Sequence, residues 1–132
     1  MTPEKLATVR FVVFLAAGLI IASYGVSALI LGRPDPMWSG IPAIAGFGAG
    51  AIIWTSALRS GARVAGATFD ELYEAEWSRA LGLSYWFAIG LYPLVSVFLV
   101  LDMIEHPVAF AAMGTLTGSA PLLLYCLISA RG

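Results

Sequence analysis

Charge is scarce in this sequence, and so are the residues on which metal and redox chemistry depend. Lysine, arginine, aspartate and glutamate make up 11% of the 132 residues, and the net charge is -1. Without a basic cluster, nucleic acid is not expected as a partner. The single cysteine, Cys126, excludes an intrachain disulfide, and the single histidine, His106, excludes bis-histidine haem ligation within one chain. No phosphate-binding glycine loop or nucleophile motif is present, so no cofactor is predicted.

Apolar residues, in contrast, make up 60% of the chain, and the mean hydropathy is +0.89. Four stretches approach or exceed the ~20 apolar residues that cross a hydrocarbon core of about 30 Å. They cover approximately residues 11–31, 41–58, 81–101 and 108–128, and none contains an internal charge. The first exceeds the apolar region of a usual secretory signal and is expected to be retained. We therefore predict one all-α membrane domain over residues 1–132, an antiparallel four-helix bundle.

The basic residues predict how this bundle is oriented. Six of them precede the first span, lie between the second and third, or follow the fourth; they are Lys5, Arg10, Arg59, Arg63, Arg79 and Arg131. The opposite side has only Arg33. The positive-inside rule thus predicts a multi-pass protein of the bacterial cytoplasmic (inner) membrane with both termini in the cytoplasm. Thr2 and Pro3 form the expected start of the first helix, and Trp38 is expected at the far interface.

Residues 68–80 form a predicted amphipathic segment that leads into the third span. Thr68 followed by Glu71 matches a capping box, and the apolar residues after it recur at helical spacing. No Gly-Pro break separates this start from the span, so we expect a helix that protrudes on the cytoplasmic side. Its charges solvate this extension or form a docking surface for a protein partner. The candidate docking residues are Phe69, Asp70, Glu71, Tyr73, Glu74 and Trp77.

The same segment carries a resemblance. Asp70-Glu71, the amphipathic start, Ala80 ten residues after Asp70 and the aromatic-rich third span resemble small uncharacterised bacterial four-helix membrane proteins with a D-E motif after helix 2. The resemblance covers about residues 68–95. It implies the same membrane fold but no activity, cofactor or catalytic residue. Glu74 and Glu76 occupy positions where more basic residues are expected in those proteins.

Two glycine pairs with GxxxG spacing are candidates for close helix packing. They are Gly46 with Gly50 in the second span, and Gly114 with Gly118 in the fourth. Glycine lets helix backbones approach closely, either within one bundle or between two copies. Pro93 and Pro121 lie inside spans and predict kinks there.

A second polar group lies between the third and fourth spans. If the third helix persists into the connector, Asp102 and His106 lie four residues apart on one face, and Glu105 lies close by. Carboxylates and imidazole suit a metal or proton-handling site. Because Pro107 disfavours helical geometry at the preceding residue, the alternative is that all three residues cap a helical hairpin.

These observations predict a noncatalytic small integral membrane protein, an accessory subunit or interaction partner that contacts the lipid bilayer and a membrane protein or a second copy of itself. The alternative is a small dimeric transporter or channel with Asp102 as the coupling group. The chain resembles small multidrug-resistance transporters in length and span count, but its first span lacks their carboxylate. A membrane enzyme or metal-binding protein would use Asp102, Glu105 and His106.

Overall fold

The computed structural model describes residues 2–32 and 40–131, and these residues are all-α. The helices are α1 (Pro3–Leu31), α2 (Ile41–Ser60), α3 (Ala62–Thr68), α4 (Glu71–Val100) and α5 (His106–Arg131). Four of them, all except α3, are long and apolar enough to cross a membrane. The prediction of four candidate membrane-spanning helices is therefore confirmed. The expected positions of Arg33 and Trp38 lie outside the described residues.

Helix α1 begins and ends through local capping interactions. The Thr2 side chain accepts a hydrogen bond from the Lys5 amide at 3.3 Å, and Pro3 occupies the first turn, as predicted. At the other end, Gly32 adopts a φ of 71° and donates its amide to the Ala28 carbonyl. Glycine reaches this left-handed conformation without strain from a Cβ atom, so the helix stops there.

The connection between α2 and α4 differs from the prediction. Thr68 ends the short helix α3, and Asp70 caps α4 by accepting a hydrogen bond from the Tyr73 amide at 3.0 Å. The capping box assigned to Thr68 and Glu71 was therefore wrong. Thr68 is itself the last residue of α3, so the N-cap position of α4 is occupied by Asp70. Helix α4 then runs to Val100 without interruption, as expected for the third span.

The four long helices lie side by side in the order α2, α1, α5, α4, and α3 packs on α1 and α2. The contact between α1 and α5 is the most extensive. These two helices run antiparallel, since Gly25 lies beside Thr115 whereas Gly18 lies beside Leu123. Within the described chain α4 packs extensively only on α5, so much of its surface is left without a protein neighbour.

Two glycines outside the predicted GxxxG pairs bring α1 and α5 together. A Cβ atom at Gly18 would lie 2.8 Å from Leu123 Cδ2, and one at Gly25 would overlap Thr115 Oγ1. Being seven residues apart, they share one helix face. The predicted packing glycines differ, because a Cβ atom would meet no heavy atom within 4 Å at any of them; they are Gly46, Gly50, Gly114 and Gly118. Their packing against another copy remains a prediction.

We expect Gly25→Leu to destabilise the fold by about 1 to 3 kcal/mol, because the new side chain must push α5 away from α1. Gly50→Leu is the matched control, since it makes the same substitution at an open position. Thermal unfolding of both variants in the same detergent measures the difference. Equal stability of the two variants would contradict the close approach of α1 and α5.

Candidate functional site

The most unusual buried residue in the described chain is Arg10 on α1, with 7% of its surface exposed. It immediately precedes the predicted first span, residues 11–31, and its side chain points between the helices. Its Nη1 donates a hydrogen bond to the Thr68 carbonyl at 2.8 Å. Arg10 thereby ties the start of α1 to the end of α3, fifty-eight positions further along the chain.

Three aromatic rings surround the Arg10 guanidinium. Its Cζ lies 4.3 Å from the ring centre of Tyr73, 5.3 Å from that of Phe69 and 5.6 Å from that of Tyr125. A cation this close to an aromatic ring is attracted by about 0.5 to 2 kcal/mol, and more strongly where water is excluded. We call Arg10, Phe69, Tyr73 and Tyr125 the cation cage. It joins α1, the α3–α4 junction and α5.

One buried nitrogen of the guanidinium has no partner among the residues that the structure describes. Arg10 Nε is buried and has no hydrogen-bond partner in the described part of the chain. An unmet buried donor costs about 1 to 3 kcal/mol, so the Thr68 carbonyl and the rings must offset that cost as well as the desolvation of the charge. Burial raises the pKa of the Tyr73 hydroxyl above its ordinary value, while the Arg10 charge acts in the opposite direction. Tyr73 is therefore a neutral phenol at physiological pH.

The cage continues into a hydrophobic cluster. Tyr125, 1% exposed, contacts Phe14 and Trp77 with ring centres 5.3 and 5.8 Å apart, and Phe14 also contacts Trp77 at 5.4 Å. Ala80, with no exposed surface, packs in the same cluster and lets α4 approach α5 closely. The aromatic residues of segment 68–80 thus pack the start of α4 against α1 and α5.

Thr68 completes the junction. It is buried, and its carbonyl accepts a hydrogen bond from Arg10. Its hydroxyl donates to the Val64 carbonyl at 2.9 Å, and the Pro3 carbonyl is a second, longer acceptor at 3.4 Å. The first turn of α1 and the last turn of α3 therefore meet at one side chain. Because Asp70 caps α4 two residues later, the direction in which α4 leaves this junction is set by local hydrogen bonds.

The predicted docking face divides into two halves. Its aromatic half is Phe69, Tyr73 and Trp77, which are partly buried against the cation cage and its cluster. Its acidic half, Asp70, Glu71 and Glu74, is exposed. An amphipathic pattern identifies the apolar and the polar face of a helix. It does not show whether the apolar face packs on the same chain or on a partner. Only the acidic half remains accessible for docking.

Arg10 entered the sequence-based prediction only through the orientation of the bundle, and its position in the core was missed. A signal was present: Leu6, Arg10 and Ala17 follow helical spacing on one face of α1, and that face is buried in the described structure. The spacing continues through Ile21, Gly25 and Ala28. An arginine inside such a stripe indicates a cation that the chain itself must solvate.

The second polar group does not assemble on one helix. Helix α4 ends at Val100, Asp102 adopts a φ of 54°, and His106 begins α5. The conditional arrangement of Asp102, Glu105 and His106 on a persisting third helix was therefore wrong. All three residues are exposed, and no group of three His, Cys, Asp or Glu residues suited to a metal is found in the described chain. Asp102, the coupling residue of the transporter hypothesis, lies in the connector beyond the helix.

Two open grooves run along α1 and are mainly apolar. One lies between α1 and α2 and is lined by Ala17, Ile20, Gly48 and Ile52. The other lies beside α5 and contains Tyr24, Thr115 and the glycine pair Gly114 and Gly118. The described residues that line these two grooves include no acidic or basic side chain.

We expect Arg10→Ala to lower the free energy of unfolding by about 2 kcal/mol, because it removes the cation from three rings and the donor from the buried Thr68 carbonyl. Arg59→Ala, at an exposed arginine near the same end, should change stability by less than about 0.5 kcal/mol. Chemical denaturation in detergent micelles, followed by tryptophan fluorescence, compares the two variants. An Arg10→Ala protein as stable as Arg59→Ala would show that the cage contributes little.

Comparison with known proteins supplies no further information on this site. No protein-family model matches the chain, and no curated protein or solved structure does so either. The resemblance based on Asp70-Glu71 and Ala80 therefore stays a prediction. Function must be inferred from the contacts of the described residues, above all from the junction at which Arg10 joins three parts of the chain.

Proposed function

We propose that this chain is a noncatalytic integral membrane protein that acts as an accessory subunit or interaction partner. Membrane residence is supported by four helices of sufficient length and apolarity. It is also supported by large apolar side chains that the described chain leaves uncovered, among them Phe47 at 82%, Trp54 at 69% and Trp86 at 69% exposure. Apolar surface of this extent requires lipid or another protein rather than water.

The distribution of basic residues supports an orientation with both termini in the cytoplasm. The cation cage places the start of α1 beside the start of α4 and the end of α5. Six of the seven basic residues of the sequence belong to this end, which we call the cage end. Because lysine and arginine are retained on the cytoplasmic side, the cage end faces the cytoplasm in the proposed bacterial inner-membrane orientation.

Cysteine labelling tests this orientation. In a Cys126→Ala background, Glu74→Cys at the cage end and Met103→Cys at the opposite end are both exposed positions. In right-side-out vesicles of the inner membrane, an impermeant maleimide should label Met103→Cys, whereas Glu74→Cys should react only after permeabilisation. The reverse pattern would contradict the proposed orientation.

The exposed acidic half of the α4 start is the surface we propose for partner contact. We call Asp70, Glu71 and Glu74 the acidic face. It is held in a fixed position because the aromatic residues on the other side of the same turns pack around Arg10 and Tyr125. This division into an anchored aromatic side and a free acidic side is the single observation that carries the proposal.

The chemistry of this face selects a class of partner. Three carboxylates within five residues attract lysine- or arginine-rich segments, and they do so outside the hydrocarbon core, where a cytoplasmic partner has access. Such an exposed contact contributes mainly to orientation and association rate, and it weakens as salt screens the charges. We therefore propose a membrane-associated partner with a basic cytoplasmic segment.

Reversing two charges of the face tests it. Glu71→Lys combined with Glu74→Lys should reduce copurification of a stoichiometric partner by about tenfold, since attraction becomes repulsion. Asp70 is left unchanged because it caps α4. The matched control is Glu105→Lys, an exposed carboxylate at the opposite end, which should not alter copurification.

The three aromatic residues are unsuitable for this test, since Phe69, Tyr73 and Trp77 are part of the core. Replacing them would release a partner and unfold the junction at the same time. Circular dichroism and thermal unfolding of the charge-reversal protein should match those of the original chain. A folded variant that retains its partner in full would refute the docking role of the acidic face.

A further inference from the structure

Helix α4 lies at one edge of the row of helices, and one stripe of its surface is unlike a lipid-facing surface. Its members recur every three or four residues and are all exposed in the described chain; they are Ser78, Gly82, Tyr85, Ile89, Tyr92 and Ser96. We call these residues the tyrosine stripe. On a helical projection the stripe lies about 120° away from the side of α4 that packs on α5, at 100° per residue.

The stripe contains two exposed tyrosines, and Tyr92 is the one that lies deepest in the membrane. Tyr85 is 64% exposed and Tyr92 is 60% exposed, so the described chain covers less than half of either side chain. Tyr92 lies eleven residues beyond Leu81, which places it about 16 Å into a hydrocarbon core of about 30 Å. A phenol is favoured at the membrane interface, but at the centre its hydroxyl finds no water and no lipid acceptor.

A carbonyl that lacks its usual helical donor lies about one turn before Tyr92 in α4. Pro93 has no amide hydrogen, so the Ile89 carbonyl loses the donor that an uninterrupted helix would give it. In hydrocarbon such a carbonyl must find a donor from a neighbouring helix or side chain. The stripe therefore carries a donor, Tyr92, and an acceptor, Ile89, at nearly the same depth.

A surface that carries both halves of a hydrogen bond is complementary to itself. When two copies are related by a two-fold axis along the membrane normal, residues at equal depth face each other. Side chains on a helix tilt towards its N-terminus, so Tyr92 of one copy reaches towards the level of Ile89 in the other. A Cβ atom at Gly82 would meet no heavy atom within 4 Å, so this position leaves room for the second helix.

We propose that the tyrosine stripe of α4 is a homodimer interface within the membrane, in which the Tyr92 hydroxyl of each copy donates to the Ile89 carbonyl of the other. The proposal requires α4 to span the membrane but does not depend on the acidic face or its partner. It also extends the row of helices, because α4 acquires its second neighbour from the other copy.

Site-directed cross-linking in the membrane tests the geometry. Both variants are made in a Cys126→Ala background. Ile89→Cys lies on the stripe, whereas Leu94→Cys lies on a different side of α4 at a comparable depth. The two native side chains are similarly exposed, Ile89 at 43% and Leu94 at 54%. A short bis-maleimide should yield a cross-linked dimer from Ile89→Cys and little from Leu94→Cys. Equal cross-linking at both positions, or none at Ile89→Cys, would overturn the proposal.

Energy transfer between labelled copies in liposomes tests the hydrogen bond. Tyr92→Phe removes one hydroxyl from each copy and should weaken dimerisation by about an order of magnitude over a dilution series in lipid. Tyr24→Phe removes a hydroxyl from α1 and serves as the matched control. Unchanged dimerisation of Tyr92→Phe would refute the role of the hydroxyl, and a monomeric original chain at high protein-to-lipid ratio would refute the dimer itself.

Discussion

Enclosure of the Arg10 guanidinium by aromatic rings is the interaction on which the cage end of this molecule depends. The cation contacts residues of α4 and α5 and the last residue of α3, none of which is close to it in sequence. Arginine suits this role because its flat guanidinium presents a face to a ring while its edge still donates hydrogen bonds. Lysine would present a compact, strongly hydrated charge and fewer directed donors.

The cage also avoids the main difficulty of a buried ion pair. A carboxylate beside Arg10 would attract it strongly, but a second charge would then have to leave water. Aromatic rings attract the cation without that second desolvation cost and fill space as apolar residues do. Carboxylates are consequently left for the outer surface of the same helix, where Glu71 and Glu74 remain solvated and available. One short segment thus combines a core contact with an exposed charged surface.

The parts of the fold that depend on neighbouring residues alone were predictable from the sequence. Span lengths follow from continuous apolar runs, and the Thr2 cap follows from the residues next to it. The α4 cap was misassigned because Thr68 and Asp70 are both suitable N-cap residues; Thr68 still belongs to α3, whereas Asp70 has the extended backbone of an N-cap.

Contacts between distant segments were not predictable in the same way. In a span where nearly every residue is apolar, composition does not separate core residues from outward-facing ones: Ile21 is 7% exposed and Leu19 is 52% exposed on the same helix. Gly18 and Gly25 can be identified as packing positions only when α5 is known to lie beside them. The helical spacing of Leu6, Arg10 and Ala17 puts Arg10 on one face of α1, but it does not identify the rings that enclose the cation, because these belong to distant segments.

The pairing of α1 with α5 has a consequence for how the chain is made. Helix α1 is synthesised before α5, yet these two helices share the most extensive contact of the fold. Until α5 has been made, the face of α1 that carries Gly18 and Gly25 lacks the helix that packs on it. The cage is therefore complete only once α5 has been made, because Tyr125 supplies the last of the three rings around Arg10.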